Sequence, residues 1–152
     1  MSLIESKIKG LEINKIKRVH HPKGDILHAL RKSEDSFKNF GEAYFSMTKF
    51  NEIKGWKTHL EARVNLIVPF GKMRFAIYDG DENGKGNFEE YLLSPDSEDS
   101  YLRITMPPKI WFAHRGEAKA DNLLLVISNI EHYDAEIGRM SFDKVPYNWP
   151  KL

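Results

Sequence analysis

Alternation of period two constrains this chain most. In KMRFAIYD, residues 72–79, Met73, Phe75 and Ile77 alternate with Lys72, Arg74 and Ala76. In YLRITM, residues 101–106, Leu102, Ile104 and Met106 alternate with Tyr101, Arg103 and Thr105. Such a pattern suits a strand that buries one face and leaves the other to water or a second layer. Turn signals separate the alternating runs: PFGK at 69–72, DGDENGKGN at 79–87, SPDSEDS at 94–100 and RGEAKADN at 115–122. Short strands with turns at this spacing predict an all-β sandwich or barrel. Further strands are expected near 43–50, 63–69, 88–93 and 122–128. The segment HALRKSEDSFK at 28–38 has thin helical periodicity, so it is read either as a helix or as an irregular loop with one helical turn. The sequence holds no internal repeat and no low-complexity segment.

The chain has 152 residues, enough for one sizeable core, and a single domain over 1–152 is the expectation. Its 23 Lys plus Arg against 22 Asp plus Glu give a formal net charge of +1, which provides no electrostatic case for nucleic acid or an anionic membrane. With no cysteine, thiolate nucleophiles, disulfides and Cys-ligated zinc are excluded. The opening MSLIESKIKG lacks an apolar targeting core and the longest apolar runs, such as LLLVI at 123–127, are far short of a membrane span, so a soluble cytoplasmic protein is expected. Residues 138–152 carry Phe142, Tyr147 and Trp149 and are read as a tail laid on the barrel or on a partner subunit.

There are six histidines, and no pair has the HxxxH or HxH spacing of a metal site, although His59 and Glu61 would share one face of an extended segment. The acidic run at 79–87 is similar to a calcium loop in composition only and reads as a solvated hairpin tip; His20 and His21 read as a surface turn. Two segments stand out: GWKTHLEARVNLIVPFG at 55–71, then MPPKIWFAH at 106–114. Glycine, histidine, acid and glycine, followed later by proline and histidine, is a reduced form of the two-part cupin pattern, in which both histidines point into one barrel mouth. Trp56, Trp111 and Phe112 read as core or cavity wall, and His114 either packs in the barrel core or lines the cavity.

Read in full, the chain resembles the dTDP-4-dehydrorhamnose 3,5-epimerase family of cupins from about Lys23-Gly24 onward. That pair stands where the family has Arg-Gly, GWKTH where it has LRGLH, and NLIVPFGKMRFAIYD where it has two strands about a VxxG turn ending in aspartate, here Asp79. LLSPDSEDSYLRITMPPKIWFAH resembles its stretch closing on PPGFAHGF, and GRMSFDKVPYNWP its terminal Trp-Pro. The resemblance implies a cupin β-jelly roll, a homodimer, and a metal-free, cofactor-free epimerase in deoxysugar biosynthesis, its substrate a nucleotide-linked 4-keto sugar. It implies His59 as base and His114 as a group that holds substrate or supports the enolate oxygen. Diphosphate contacts fall to Lys23, Lys57, Arg63 or Arg74.

The departures from the family are specific. Its acid is a tyrosine in a Tyr-Tyr pair; Tyr133 reaches that place with one residue deleted before Gly138, and without the gap Ile130 and Glu131 stand there. Its aspartate that pairs with the catalytic histidine lies beyond the Trp-Pro dipeptide, whereas this sequence stops at Leu152, so Glu61 or Asp79 is expected to orient His59. Three rival readings accompany the resemblance. One is a sugar 3,4-ketoisomerase, whose second first-strand histidine is here Glu61; another is a metal cupin using His59, Glu61 and His114; the third is a non-catalytic relative that binds a sugar nucleotide or a protein.

Overall fold

The computed structural model describes residues 3–81 and 83–152, so Met1, Ser2 and Glu82 of the acidic run lie outside the described residues. The described residues form thirteen strands: β1 (Leu3–Ile4), β2 (Glu12–Lys15), β3 (Arg18–Val19), β4 (Ile26–Leu27), β5 (Glu42–Thr48), β6 (Ile53–His59), β7 (Val64–Phe70), β8 (Met73–Tyr78), β9 (Phe88–Leu93), β10 (Leu102–Met106), β11 (Trp111–Gly116), β12 (Asn122–Ser128) and β13 (Ile137–Arg139). They build a six-stranded sheet in the order β1-β2-β10-β7-β12-β5, a five-stranded sheet in the order β13-β6-β11-β8-β9, and the small ribbon β3-β4. The ladders are antiparallel, and the two large sheets face each other as a single-domain jelly roll of the cupin type.

The alternation read from the sequence sorts side chains between the layers. Met73, Phe75 and Ile77 of β8, Val64, Leu66 and Val68 of β7, and Leu102, Ile104 and Met106 of β10 pack together in the core between the sheets. The opposite faces are covered too. Behind the five-stranded sheet, Trp56, Ala76, Tyr78 and Ala113 pack with Val145 and the partly buried Met140, Tyr147 and Trp149, so residues 140–149 lie on the barrel itself. Behind the six-stranded sheet, Ile16, Ile67 and Tyr101 pack with Leu27 and Ala29.

Residues 28–38 are an irregular loop, not a helix, with turn hydrogen bonds from the Glu34 N–H to the Arg31 carbonyl and from the Phe37 N–H to the Glu34 carbonyl. The fully buried Arg103 guanidinium organises the loop. It donates to the Ala29 carbonyl at 2.8 Å and forms an ion pair with Glu34 at 2.7 Å. A buried guanidinium has to find acceptors, and this polar segment supplies them by staying non-helical.

One irregularity positions the site. Phe112 of β11 pairs with Lys57 of β6 while His114 pairs with Lys54, so β6 spends one residue more than its partner over that interval. The bulge turns both lysines to the same side of the sheet. Gly55 lies at its centre with φ of 139°, and a Cβ there would stand 2.5 Å from the Cβ of Ala113 and 2.7 Å from its Cα. Only glycine meets both conditions. Gly55→Ala is therefore predicted to lower stability by about 1–3 kcal/mol. Urea denaturation checks it, and an unchanged midpoint would show that the bulge accommodates a side chain.

Candidate active site

His59 is the last residue of β6, and its neighbour across the ladder is Ile137 of β13. The residue before Ile137 is Glu136, in a 3-10 turn at Asp134–Glu136, and this places its carboxylate against the imidazole. His59 Nδ1 lies 2.9 Å from Glu136 Oε2 and 3.2 Å from Oε1. A carboxylate only accepts, so Nδ1 carries the proton and Nε2 holds the lone pair. Glu136 also accepts from the Ala62 N–H at 2.9 Å, while its own carbonyl accepts from the Leu60 N–H at 2.8 Å. Both residues are buried, with 6% of His59 and 2% of Glu136 exposed.

Burial pushes the His59 imidazole below its ordinary pKa, and the opposing effect of Glu136 does not restore it. Burial acts to raise the Glu136 carboxyl, but the hydrogen bonds from His59 and from the Ala62 N–H outweigh it and hold the group below the usual carboxylate range. The pair is thus a neutral imidazole on a carboxylate, the state a general base requires at neutral pH. Nε2 makes no hydrogen bond within the described residues. The imidazole borders a narrow pocket with Tyr44, Ser128 and Ile130, and Phe112 stacks beside it with ring centroids 6.1 Å apart.

Tyr44 also borders an adjoining cavity of about 380 Å³, lined by Ser46, Lys54, Lys57, His114 and Arg139 among others. Lys57 and Arg139 are directly opposite each other in the β6–β13 ladder, a placement that is unfavourable for like charges. Lys57 Nζ lies 5.5 Å from the Phe112 ring centroid, and Lys54 Nζ donates to the Met47 carbonyl at 2.6 Å. Among the described residues none of these three cations forms an ion pair. Burial, then Arg139 and Lys54, push the Lys57 ammonium down. Such a cluster is built to receive an anion.

His114 closes the far side of this cavity. Its Nε2 lies 3.2 Å from Thr48 Oγ1, and its buried Nδ1 has no partner within the described residues. Burial, reinforced by Lys57 and Lys54, pushes the imidazole down to about 3, so the ring is neutral. FAH is thus both packing and cavity wall: Phe75 lies against the His114 ring at 5.2 Å, while the residue also borders the cavity.

The structure brings together three of the residues expected from sequence: His59, Lys57 and His114. It places the others apart. Arg74 alternates to the outer face of β8, where it binds Glu117 at 2.8 Å and Glu90 at 2.8 Å. Arg63 pairs with Glu12 at 3.0 Å, and Lys23 is exposed in the turn between β3 and β4. Tyr133 is 44% exposed and borders neither cavity, and the neighbouring Glu61 raises its phenol pKa. Neither Glu61 nor Asp79 orients His59; Asp79 accepts from the Asn87 N–H at its hairpin tip. Among the described residues no cluster of three His, Asp or Glu could hold a metal ion, so His59, Glu61 and His114 do not form a metal set.

No protein-family model matches the chain. A Haloferax volcanii protein, "Probable low-salt glycan biosynthesis epimerase", is 23% identical over 143 residues, covering 90% of this chain and 86% of that one. A dTDP sugar isomerase from Desulfovibrio desulfuricans G20 superposes with a TM-score of 0.86 at 25% identity, covering 98% of this chain and 94% of the other. The dTDP-6-deoxy-D-glucose-3,5-epimerase of Legionella pneumophila Philadelphia 1, solved with dTDP-4-keto-L-rhamnose, superposes at 0.79 with 12% identity, covering 98% and 83%. The fold is that of the cupin sugar epimerases and isomerases.

Within this epimerase fold, sequence reasoning did not find Glu136, Tyr44, Lys54 or Arg139. For Tyr44 a signal existed: if Phe45 and Met47 face outward, Tyr44, Ser46 and Thr48 must face inward. Glu136 offered none, because its position follows from a 3-10 turn and a three-residue strand. The neutral His114 has a consequence for stability. Its folded pKa is depressed below the unfolded value of about 6.5, so its contribution is present above that pH and is lost as pH falls toward 3. Urea unfolding should show His114→Gln losing about 2 kcal/mol less than the wild type between pH 7 and pH 5. Equal losses would mean that the folded ring titrates normally.

Proposed function

We propose that this protein is a metal-free nucleotide-sugar epimerase acting next to the ketone of a dTDP-4-keto-6-deoxyhexose, in deoxysugar and cell-surface polysaccharide biosynthesis. The observation that carries the reading is the neutral His59, with Nδ1 on Glu136 and Nε2 free, beside a cavity of unpaired cations. Nε2 removes the proton α to the ketone, and the carbon's bonding pair moves into an enolate. Glu136 stabilises the imidazolium that results. Lys57 and His114 line the space where negative oxygen would gather, and Lys54 and Arg139 extend that positive field toward a diphosphate. The similar protein named as an epimerase supports the reaction type, and the one named as a dTDP sugar isomerase supports the substrate class.

The protein is proposed to act in the cytoplasm as a homodimer. Among the described residues no helix is long and apolar enough to cross a membrane. The outer face near edge strand β5 shows Phe45, Met47 and Phe70 at 65%, 53% and 58% exposure, and an apolar sheet edge of this kind calls for cover.

NMR of a dTDP-4-keto-6-deoxyhexose in D2O tests the reaction. Deuterium should enter C3 or C5 with the wild type, should not enter with His59→Ala, and should enter roughly 10²–10⁴-fold more slowly with Glu136→Gln. No exchange at either carbon with the wild type would sink the epimerase reading. The cation cluster makes a separate prediction. Titration with dTDP should show Lys57→Ala and Arg139→Ala each weakening binding by roughly 10-fold or more, with a reduced dependence on salt; unchanged affinity in both would place the diphosphate elsewhere.

A further inference from the structure

Epimerisation needs a proton donor on the face of the sugar opposite the base, and the place that the resemblance assigns to it is unsuited here. Tyr133 borders neither the His59 pocket nor the cationic cavity. Ile130 and Glu131, the ungapped occupants, border the His59 pocket, but one is apolar and the other is a carboxylate on the same connecting segment as Glu136. His132 also borders that pocket, and its Nε2 lies 3.2 Å from Asp134 Oδ1.

The geometry points to Tyr44 as the proton donor that acts against His59, an assignment that rests on the epimerase reading. His59 belongs to the five-stranded sheet and Tyr44 to edge strand β5 of the six-stranded sheet, so the two look at each other across the gap between the layers. Tyr44 borders both the His59 pocket and the cationic cavity, and among the described residues it is the only side chain that lines both. Its inward direction is fixed by its neighbours: Phe45 and Met47 lie on the outer face, and Thr48, of the same parity as Tyr44, reaches His114. Within the described residues the hydroxyl makes no hydrogen bond, so it is free to meet a ligand. Tyr44 is 37% exposed where it borders these spaces, and its partial burial, with Glu42 and Glu136 adding to it, raises the phenol, which keeps it protonated at neutral pH.

The step balances without a cofactor. His59 Nε2 takes the proton as the C–H bond breaks and its electron pair forms the enolate. The enolate then takes the Tyr44 hydroxyl proton on the opposite face, forming the new C–H bond and leaving a phenolate. Solvent protonates the phenolate and deprotonates the imidazolium, which restores both groups, and the sugar's oxidation state is unchanged.

The test uses dTDP-4-keto-6-deoxy-D-glucose in D2O with wild type, Tyr44→Phe, Tyr133→Phe and His59→Ala, following deuterium wash-in and inverted product separately. The expected result is that Tyr44→Phe retains His59-dependent wash-in, because the base returns deuterium to the face it came from, while inversion falls by roughly 10²–10⁴-fold. The retained wash-in also shows that the variant is folded. Three results overturn the assignment: inversion at the wild-type rate in Tyr44→Phe, loss of inversion in Tyr133→Phe instead, or loss of wash-in and inversion together in Tyr44→Phe, which would make Tyr44 a binding residue. A wild type that exchanges nothing removes the epimerase reading and this assignment with it, and is told apart from the other outcomes by that control.

Discussion

The register step at Gly55 decides which side chains reach the space between the sheets. With one residue more on β6 than on β11, Lys54 and Lys57 both come to the inner side that Phe112 and His114 occupy, and His59 follows two residues on. A regular ladder would send one of the two lysines to the opposite face. The core between the sheets is built on apolar side chains, so the bulge concentrates positive charge at one side of the barrel, where β5, β6 and β13 are near its edges. Holding unpaired cations there is unfavourable by several kcal/mol per ion wherever water is excluded. The cavity is correspondingly open, and an anionic ligand would supply the charge the protein withholds. Violations of local rules of this kind gather at functional sites, while the rest of the fold carries their cost.

Glu136 couples that site to the closure of the barrel. Its carboxylate holds His59 and the Ala62 N–H while its carbonyl holds the Leu60 N–H, so one residue both orients the imidazole and fixes the chain as it leaves β6. Orientation and local order are therefore not separable here. Protonating Glu136 would weaken its hold on the ring and on the 60–62 turn at once, and its depressed pKa confines that loss to acid pH.

Much of the fold was legible because period two is a direct record of burial. Strands expected at 63–69, 88–93 and 122–128 appear as β7, β9 and β12 within a residue. The same alternation carried more than was drawn from it: Arg74 stands between Met73 and Phe75, both core residues, and so had to point away from the cavity. Histidine at 59 and 114 was visible through motif spacing. The partner of His59 was not, since Glu136 arrives by a contact 77 residues distant through elements too short to leave a pattern. The loop at 28–38 was ambiguous for a related reason. Its conformation answers to Arg103, which sits on another strand, and not to its own periodicity.

The aromatic tail belongs to the same mechanism: Phe142 lines the cationic cavity, and the rest of it packs behind the sheet. Trp56 follows Gly55 and points to the outer face, where its ring meets Tyr78, Phe88 and Tyr147 edge-on at 6.4, 6.4 and 6.1 Å. The Met140 N–H donates to the Trp56 carbonyl at 3.1 Å, and Arg115 stacks on Trp149. Residues 140–149 therefore grip the bulge from behind, at the residue next to the one that sets its register. Edge-on aromatic contacts of this kind add about 0.5–1.5 kcal/mol each beyond their buried area. Because a bulge is a local departure from the ladder, it is held only as firmly as its surroundings dictate, and here the surroundings are the far end of the chain. The aim of Lys54 and Lys57 into the cavity thus depends on packing on the opposite face of the sheet, and a change at Tyr147 or Trp149 reaches the site through Trp56, on the side away from the cavity that Phe142 lines.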